Sequence, residues 1–180
     1  MNKTRFNFRQ ILNRDNKYYR IGLLFSYFFI LYSVTSWYGN KWGVVLPFLE
    51  IDGLIDLYPS SIWVYSVLYP IYICWCFYSY DNMIEMNKIA YSFISLTTVS
   101  SLIFLIYPTV FPRELFPVAD DSNLSTKLLS FVRSTDKPSN CFPSLHVGYC
   151  YLFALGFLNT DKLKLYISLF IATLISVSTL

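Results

Sequence analysis

IGLLFSYFFILYSVTSW, Ile21 to Trp37, runs without a single charged residue. About 20 apolar residues, each rising about 1.5 Å, cross the hydrocarbon core of a bilayer as a helix. The stretch is apolar all round rather than on one face, so it reads as a helix surrounded by lipid or by other helices. Four further stretches come close to the same description. Ile62–Tyr80 (IWVYSVLYPIYICWCFYSY) contains Pro70, a position where a kink is expected and where neighbouring helices can tolerate it. Ile89–Phe111 is long and ends in a Tyr-Pro-Thr segment, Phe142–Leu158 follows a polar loop, and Leu163–Leu180 is apolar throughout. The expectation is an all-α, polytopic bundle of about five spanning helices.

Composition agrees. Hydrophobic residues make up 55% of the 180, aromatics 20% and charged residues 14%, and mean hydropathy is +0.44. Soluble domains carry about 25% charged residues, so lipid is the expected solvent. A net charge of +3 without a clustered basic face excludes a nucleic-acid partner. Cys74 and Cys76 flank Trp75 in an apolar run, no Cys-x-x-Cys pair exists, and one histidine cannot complete a common zinc set. No metal and no cofactor are expected.

Lys and Arg set orientation. Segments 1–20, 81–88 and 159–164 carry nine of the fourteen, and Lys3, Arg5, Arg9, Arg14, Lys17 and Arg20 lie in the first of them. Residues 1–20 therefore read as a basic cytoplasmic N-terminus and 21–180 as the membrane-embedded domain, with the loops 38–61 and 112–141 facing outward. The first outer loop mixes apolar residues with Glu50, Asp52 and Asp56, which predicts an interfacial element with Trp42 and Trp63 near the headgroups.

The second outer loop leads into Lys137-Pro-Ser-Asn-Cys-Phe-Pro-Ser-Leu-His146, which holds the one histidine of the chain. Pro143 is expected in the first turn of a helix, where its missing N–H costs nothing. Ser144 and the N–H groups around His146 then stand at a helix start, whose unpaired donors and partial positive charge suit a phosphate. Arg113 comes from the end of the preceding span and can grip phosphoryl oxygens with both arms of its guanidinium. The polar end of such a site meets a lipid headgroup at the outer surface.

Phe142-Pro-Ser-Leu-His146 resembles the Pro-Ser-x-His signature of the type-2 phosphatidic acid phosphatase superfamily. Asp136-Lys-Pro-Ser-Asn140 and Pro47-Phe-Leu-Glu-Ile-Asp-Gly53 are similar to the branch near inositol phosphotransferases. The resemblance extends from about Trp42 onward. It implies a six-helix fold, a lipid phosphate or pyrophosphate substrate, and phosphoryl transfer through a phosphohistidine. It also implies roles: His146 as the acid that protonates the leaving group, Ser144 as a phosphate hydrogen-bond donor, and Arg113 as the arginine of the first signature. Two departures stand out. Ile106 occupies the place of that signature's lysine and Glu114 the place of its proline, so Lys137, Arg133 or Lys127 would have to supply the missing charge, with Lys137 the candidate carried forward. The third signature, Ser-Arg-x5-His-x3-Asp, is absent; Ile175-Ser-Val-Ser-Thr-Leu180 looks like the approach to it, so the expectation is a domain incomplete at its C-terminus, without the nucleophile. An integral protein of the plasma (inner) membrane follows, either a lipid phosphatase or phosphotransferase, or a non-catalytic protein that binds an anionic headgroup or a partner.

Overall fold

The computed structural model describes residues 17–47, 58–80, 83–118 and 123–178. The cations before Lys17 and the acids Glu50, Asp52 and Asp56, with the interfacial element expected around them, lie outside the described residues. Six α-helices dominate: α1 Lys17–Trp42, α2 Tyr69–Ser79, α3 Met83–Ile106, α4 Leu124–Thr135, α5 Leu145–Leu155 and α6 Lys162–Ser178. Two short strands, β1 Val44–Val45 and β2 Thr109–Val110, pair in parallel.

Three helical segments are long and apolar enough to cross a membrane: Lys17–Trp42, Pro59–Ser79 and Ile84–Ile106. The first extends beyond the uncharged run because Lys17 and Lys41 sit at its two ends. The second is composite. It opens as a 3₁₀ turn at Pro59–Ser61, is helical at Ile62 and Trp63, passes through a π-turn at Val64–Leu68 and continues as α-helix from Tyr69. Pro70 has no N–H to donate and its ring crowds the preceding turn, so the wider π spacing next to it is the physical form of the expected kink.

Helix α5 is shorter than the sequence suggests. The apolar run from Phe142 becomes helical only at Leu145, because Ser144 is the cap, and α5 ends after 11 residues. That is about 16 Å of helix, half of a hydrocarbon core. Helix α6 has 17 residues, about 26 Å.

Helices α2, α3, α5 and α6 enclose an aromatic core. Phe93 stacks on Tyr149 with centroids 4.5 Å apart, and Phe77 meets Phe153 edge-on at 4.8 Å. The phenols of Tyr72 and Tyr80 donate to the backbone oxygens of Cys150 and Phe153, which satisfies polar atoms that apolar surroundings would penalise. At Gly148, α3 and α5 approach closely, and a Cβ there would stand 3.1 Å from Leu96.

The connections sort to two ends. At one, Lys17 Nζ donates to the carbonyls of Tyr78 and Tyr80 at 3.0 and 2.9 Å, a cation on the terminal carbonyls of α2. At the other, β1–β2 pairing joins the ends of α1 and α3, and the segment before α5 adds a bridge between Val110 and Ser139.

Candidate anion site

The segment 136–144 is fixed before any ligand is considered. Phe111 N donates to Pro138 O at 2.8 Å, and the Ser139 hydroxyl sits 2.8 Å from that of Ser36 and accepts from Asn40 Nδ2 at 3.1 Å. Asn140 takes the left-handed backbone conformation, φ 59°, which asparagine tolerates better than most residues. Its side-chain NH2 donates to Thr35 Oγ1 at 2.9 Å. Gly39 leaves room for this contact: a Cβ there would stand 3.3 Å from Ser139 Cβ. The segment is thus held against the C-terminal half of α1.

Ser144 is the N-cap of α5. Its Oγ accepts from Val147 N at 3.4 Å, and its carbonyl accepts from Gly148 N at 3.0 Å. Pro143 therefore precedes the cap instead of occupying the first turn, which corrects the expected register. The N–H groups of Leu145 and His146 have no hydrogen-bond partner among the described residues, and the Ser144 hydroxyl proton is still free to donate outward.

Arg113 lies on a 3₁₀ turn, Arg113–Leu115. Its Nη1 donates to the carbonyls of Arg133 and Asp136, each at 2.7 Å, at the C-terminal end of α4. Arg133 Nη1 in turn donates to Phe116 O at 2.6 Å. Each guanidinium spends one nitrogen on backbone and keeps others. Helix α4 itself is a feature that the loop reading of 112–141 missed, although Asn123 and Thr126 announce it by a reciprocal capping box.

These pieces surround a cavity of about 840 Å³. Arg113, Lys137, Ser144 and His146, the four candidates from the sequence, all line it. Arg133 also lines it, and Lys127 does not. Among the described residues the one ion pair is Asp161–Lys164, so none of the three cavity cations is neutralised by a carboxylate at contact distance. Asp136 is the one acid on the wall among the described residues. Burial raises its carboxyl above the usual range, opposed by the nearby Arg113 guanidinium and by the Tyr32 phenol that donates to it at 3.3 Å. Burial lowers Arg133, and the like charge of Arg113 lowers it further. Burial pushes the Cys141 thiol up to about 11, against the pull of Arg113. Two guanidiniums that repel each other beside a helix start define a place where an anion is electrostatically favoured.

The His146 ring lies between two phenol rings of the kinked second span, Tyr65 at 4.6 Å and Tyr69 at 4.8 Å between centroids. Sequence reasoning missed both tyrosines, because their meeting with His146 depends on how the second span packs beside α5. No carboxylate or carbonyl orients the imidazole among the described residues; aromatic packing does. The cavity lining also includes the apolar Ile62, Val64, Leu174 and Val177, beside Ser61, Thr173 and Ser178.

No family model, no curated protein and no solved structure matches this chain.

Proposed function

We propose that the cavity seats the phosphate or pyrophosphate of a membrane lipid, and that the chain is the membrane-embedded part of a phosphatidic acid phosphatase type-2-like lipid phosphatase or phosphotransferase. One observation carries this reading. Arg113, Arg133 and Lys137, none in a contact ion pair, line one cavity together with the capped start of α5 and the apolar Ile62, Val64, Leu174 and Val177. Such a cavity matches an amphiphile with a doubly charged head.

In this reading α5 and α6 join the three long helices in a five-span bundle. The short α5 begins below the surface, so that the headgroup descends to meet it. The basic N-terminus faces the cytoplasm, and the cavity opens at the outer face of the plasma (inner) membrane. His146, next to the anion, protonates the departing oxygen; Ser144 and the N–H groups of Leu145 and His146 hold the phosphoryl oxygens. Phosphoryl transfer depends mostly on such positioning and charge stabilisation. The 180 residues hold one histidine, so a phosphohistidine route draws its nucleophile from elsewhere.

A second reading, an anionic-headgroup binder without catalysis, is favoured by the way His146 is held: by two tyrosine rings, with no hydrogen bond to fix its tautomer among the described residues. One experiment separates the readings. The protein in lipid nanodiscs is titrated with inorganic phosphate and orthovanadate, and phosphate release from phosphatidate and an isoprenyl diphosphate is followed in parallel. Binding with release supports the enzyme, and binding without release supports the binder. No binding of either anion removes both.

A further inference from the structure

We propose that α4 lies in the headgroup layer of the bilayer as an in-plane amphipathic helix, and that its apolar edge forms the lipid-side rim of the cavity. The inference rests on the reading of the chain as membrane-spanning and not on phosphoryl transfer.

The residues of α4 sort by angle at about 100° per position. Leu124, Leu128 and Phe131 fall within about 60° of one another. Leu124 and Phe131 are 69% and 63% exposed, a large apolar exposure for a helix of 12 residues. Lys127, Ser134 and Ser130 follow in the adjoining sector, about 40°, 60° and 100° from Phe131, with Lys127 and Ser134 exposed, and exposed Thr135 falls within the apolar sector. A polar sector carrying a lysine beside an apolar sector carrying Leu and Phe is the distribution of helices that lie at a membrane surface.

Two contacts fix where that apolar face stands. Trp63 Nε1 donates to Ser125 Oγ at 2.9 Å, which ties the first turn of α4 to the beginning of the apolar span Pro59–Ser79. Tryptophan at a span end belongs at headgroup level, so α4 starts at that level. At the other end, Arg113 and Asp136 hold the last turn beside the cavity mouth. The apolar sector continues from the exposed side to Val132 and Leu129, which line the cavity. A mostly apolar sector, interrupted by Thr135 and Ser125, therefore runs from the outside of α4 to the inside of the site. Its occupant on the outer side is the glycerol and upper acyl region of the lipids around the second span.

Nitroxide labels on single cysteines test this in nanodiscs, using a variant with Cys74→Ala and Cys141→Ala in which the buried Cys76 and Cys150 stay unlabelled. The positions are Phe131→Cys in the apolar sector, Ser134→Cys in the adjoining polar sector about 60° away, and Val99→Cys on the exposed side of α3. The Phe131 label is expected to meet oxygen dissolved in lipid and to be at least about threefold less accessible to an aqueous nickel chelate than the Ser134 label. Equal nickel access at 131 and 134 would overturn the proposal. Shielding from both probes with spin–spin broadening at 131 would also overturn it, because a second copy of the chain then covers the face. A Val99 label in water would remove the membrane reading itself, and the proposal with it. A lipid-facing label at 131 stands whether or not any phosphate is released.

Discussion

Removing the Arg113 side chain should loosen the end of α4 and the segment that follows it. Nη1 makes two hydrogen bonds of 2.7 Å to the carbonyls of Arg133 and Asp136, both part-buried. A hydrogen bond from a charged donor contributes about 1.5–3 kcal/mol net. Water reaches this region, so the lower figure applies, and the two together give about 3 kcal/mol. At 1.4 kcal/mol per decade, Arg113→Ala should accelerate local opening roughly a hundredfold. The reporter is the amide of Asp136, which donates to Val132 O at 2.8 Å; hydrogen–deuterium exchange of the protein in nanodiscs reads it directly. Arg113→Lys re-forms one of the two bonds and should lose about tenfold, since an ammonium does not reproduce the planar fork. Exchange unchanged across 129–141 in Arg113→Ala would refute the clamp. Loss of anion binding with unchanged exchange would refute the idea that one residue serves both the loop and the ligand.

Other outcomes follow from the same geometry. Asp136→Asn should tighten phosphate binding several-fold by removing the one acid from the cavity wall, while its amide oxygen keeps the Tyr32 hydrogen bond. The pH dependence has a definite sign: a carboxyl raised by burial costs stability above its folded pKa, and that cost disappears as pH falls toward the unfolded value of about 3.9. The melting temperature of Asp136→Asn should therefore exceed or equal the parent's at pH 7, and the two should converge in acid. Ser144→Ala should cost about 0.5–1 kcal/mol, the low end for an N-cap because its bond to Val147 is long, together with a measurable loss of phosphate affinity in the titration. His146→Ala should abolish phosphate release in any active form and leave inorganic phosphate binding within a few-fold, as read by calorimetry. Gly156→Ala should destabilise the core by about 1–3 kcal/mol in thermal unfolding, since the new methyl meets the Tyr80 phenol and Ile89.

The sequence revealed the long spans because an uncharged apolar run leaves few alternatives to a buried or lipid-facing helix. The four candidate residues, His146, Ser144 and Arg113 from residue type and place in the chain and Lys137 from the family resemblance, all line one cavity. What the sequence hid has physical reasons. Helix α4 carries an apolar pattern too short to stand out from a polar loop, and only its capping residues mark its start. The register of α5 was misplaced by two residues, because Pro143 is equally at home inside a first turn or just before the cap, and the competition from the Ser144 hydroxyl decides it. Tyr65 and Tyr69 looked like ordinary aromatic residues of a span. Their meeting with His146 depends on the π-turn before Pro70 and on how α2 packs against α5, and neither is written in local pattern.

The fastening of Ser139 and Asn140 to α1 makes that helix a spacer with two fixed marks. At one mark Lys17 grips the end of α2; at the other Thr35, Ser36 and Asn40 hold the floor of the anion seat. One residue inserted between them would turn the upper mark by about 100° and lift it about 1.5 Å, swinging those side chains out of reach. The interval from Lys17 to Thr35 is thus a measured length, and point changes of apolar residues within it should be absorbed far more easily than any change in their number.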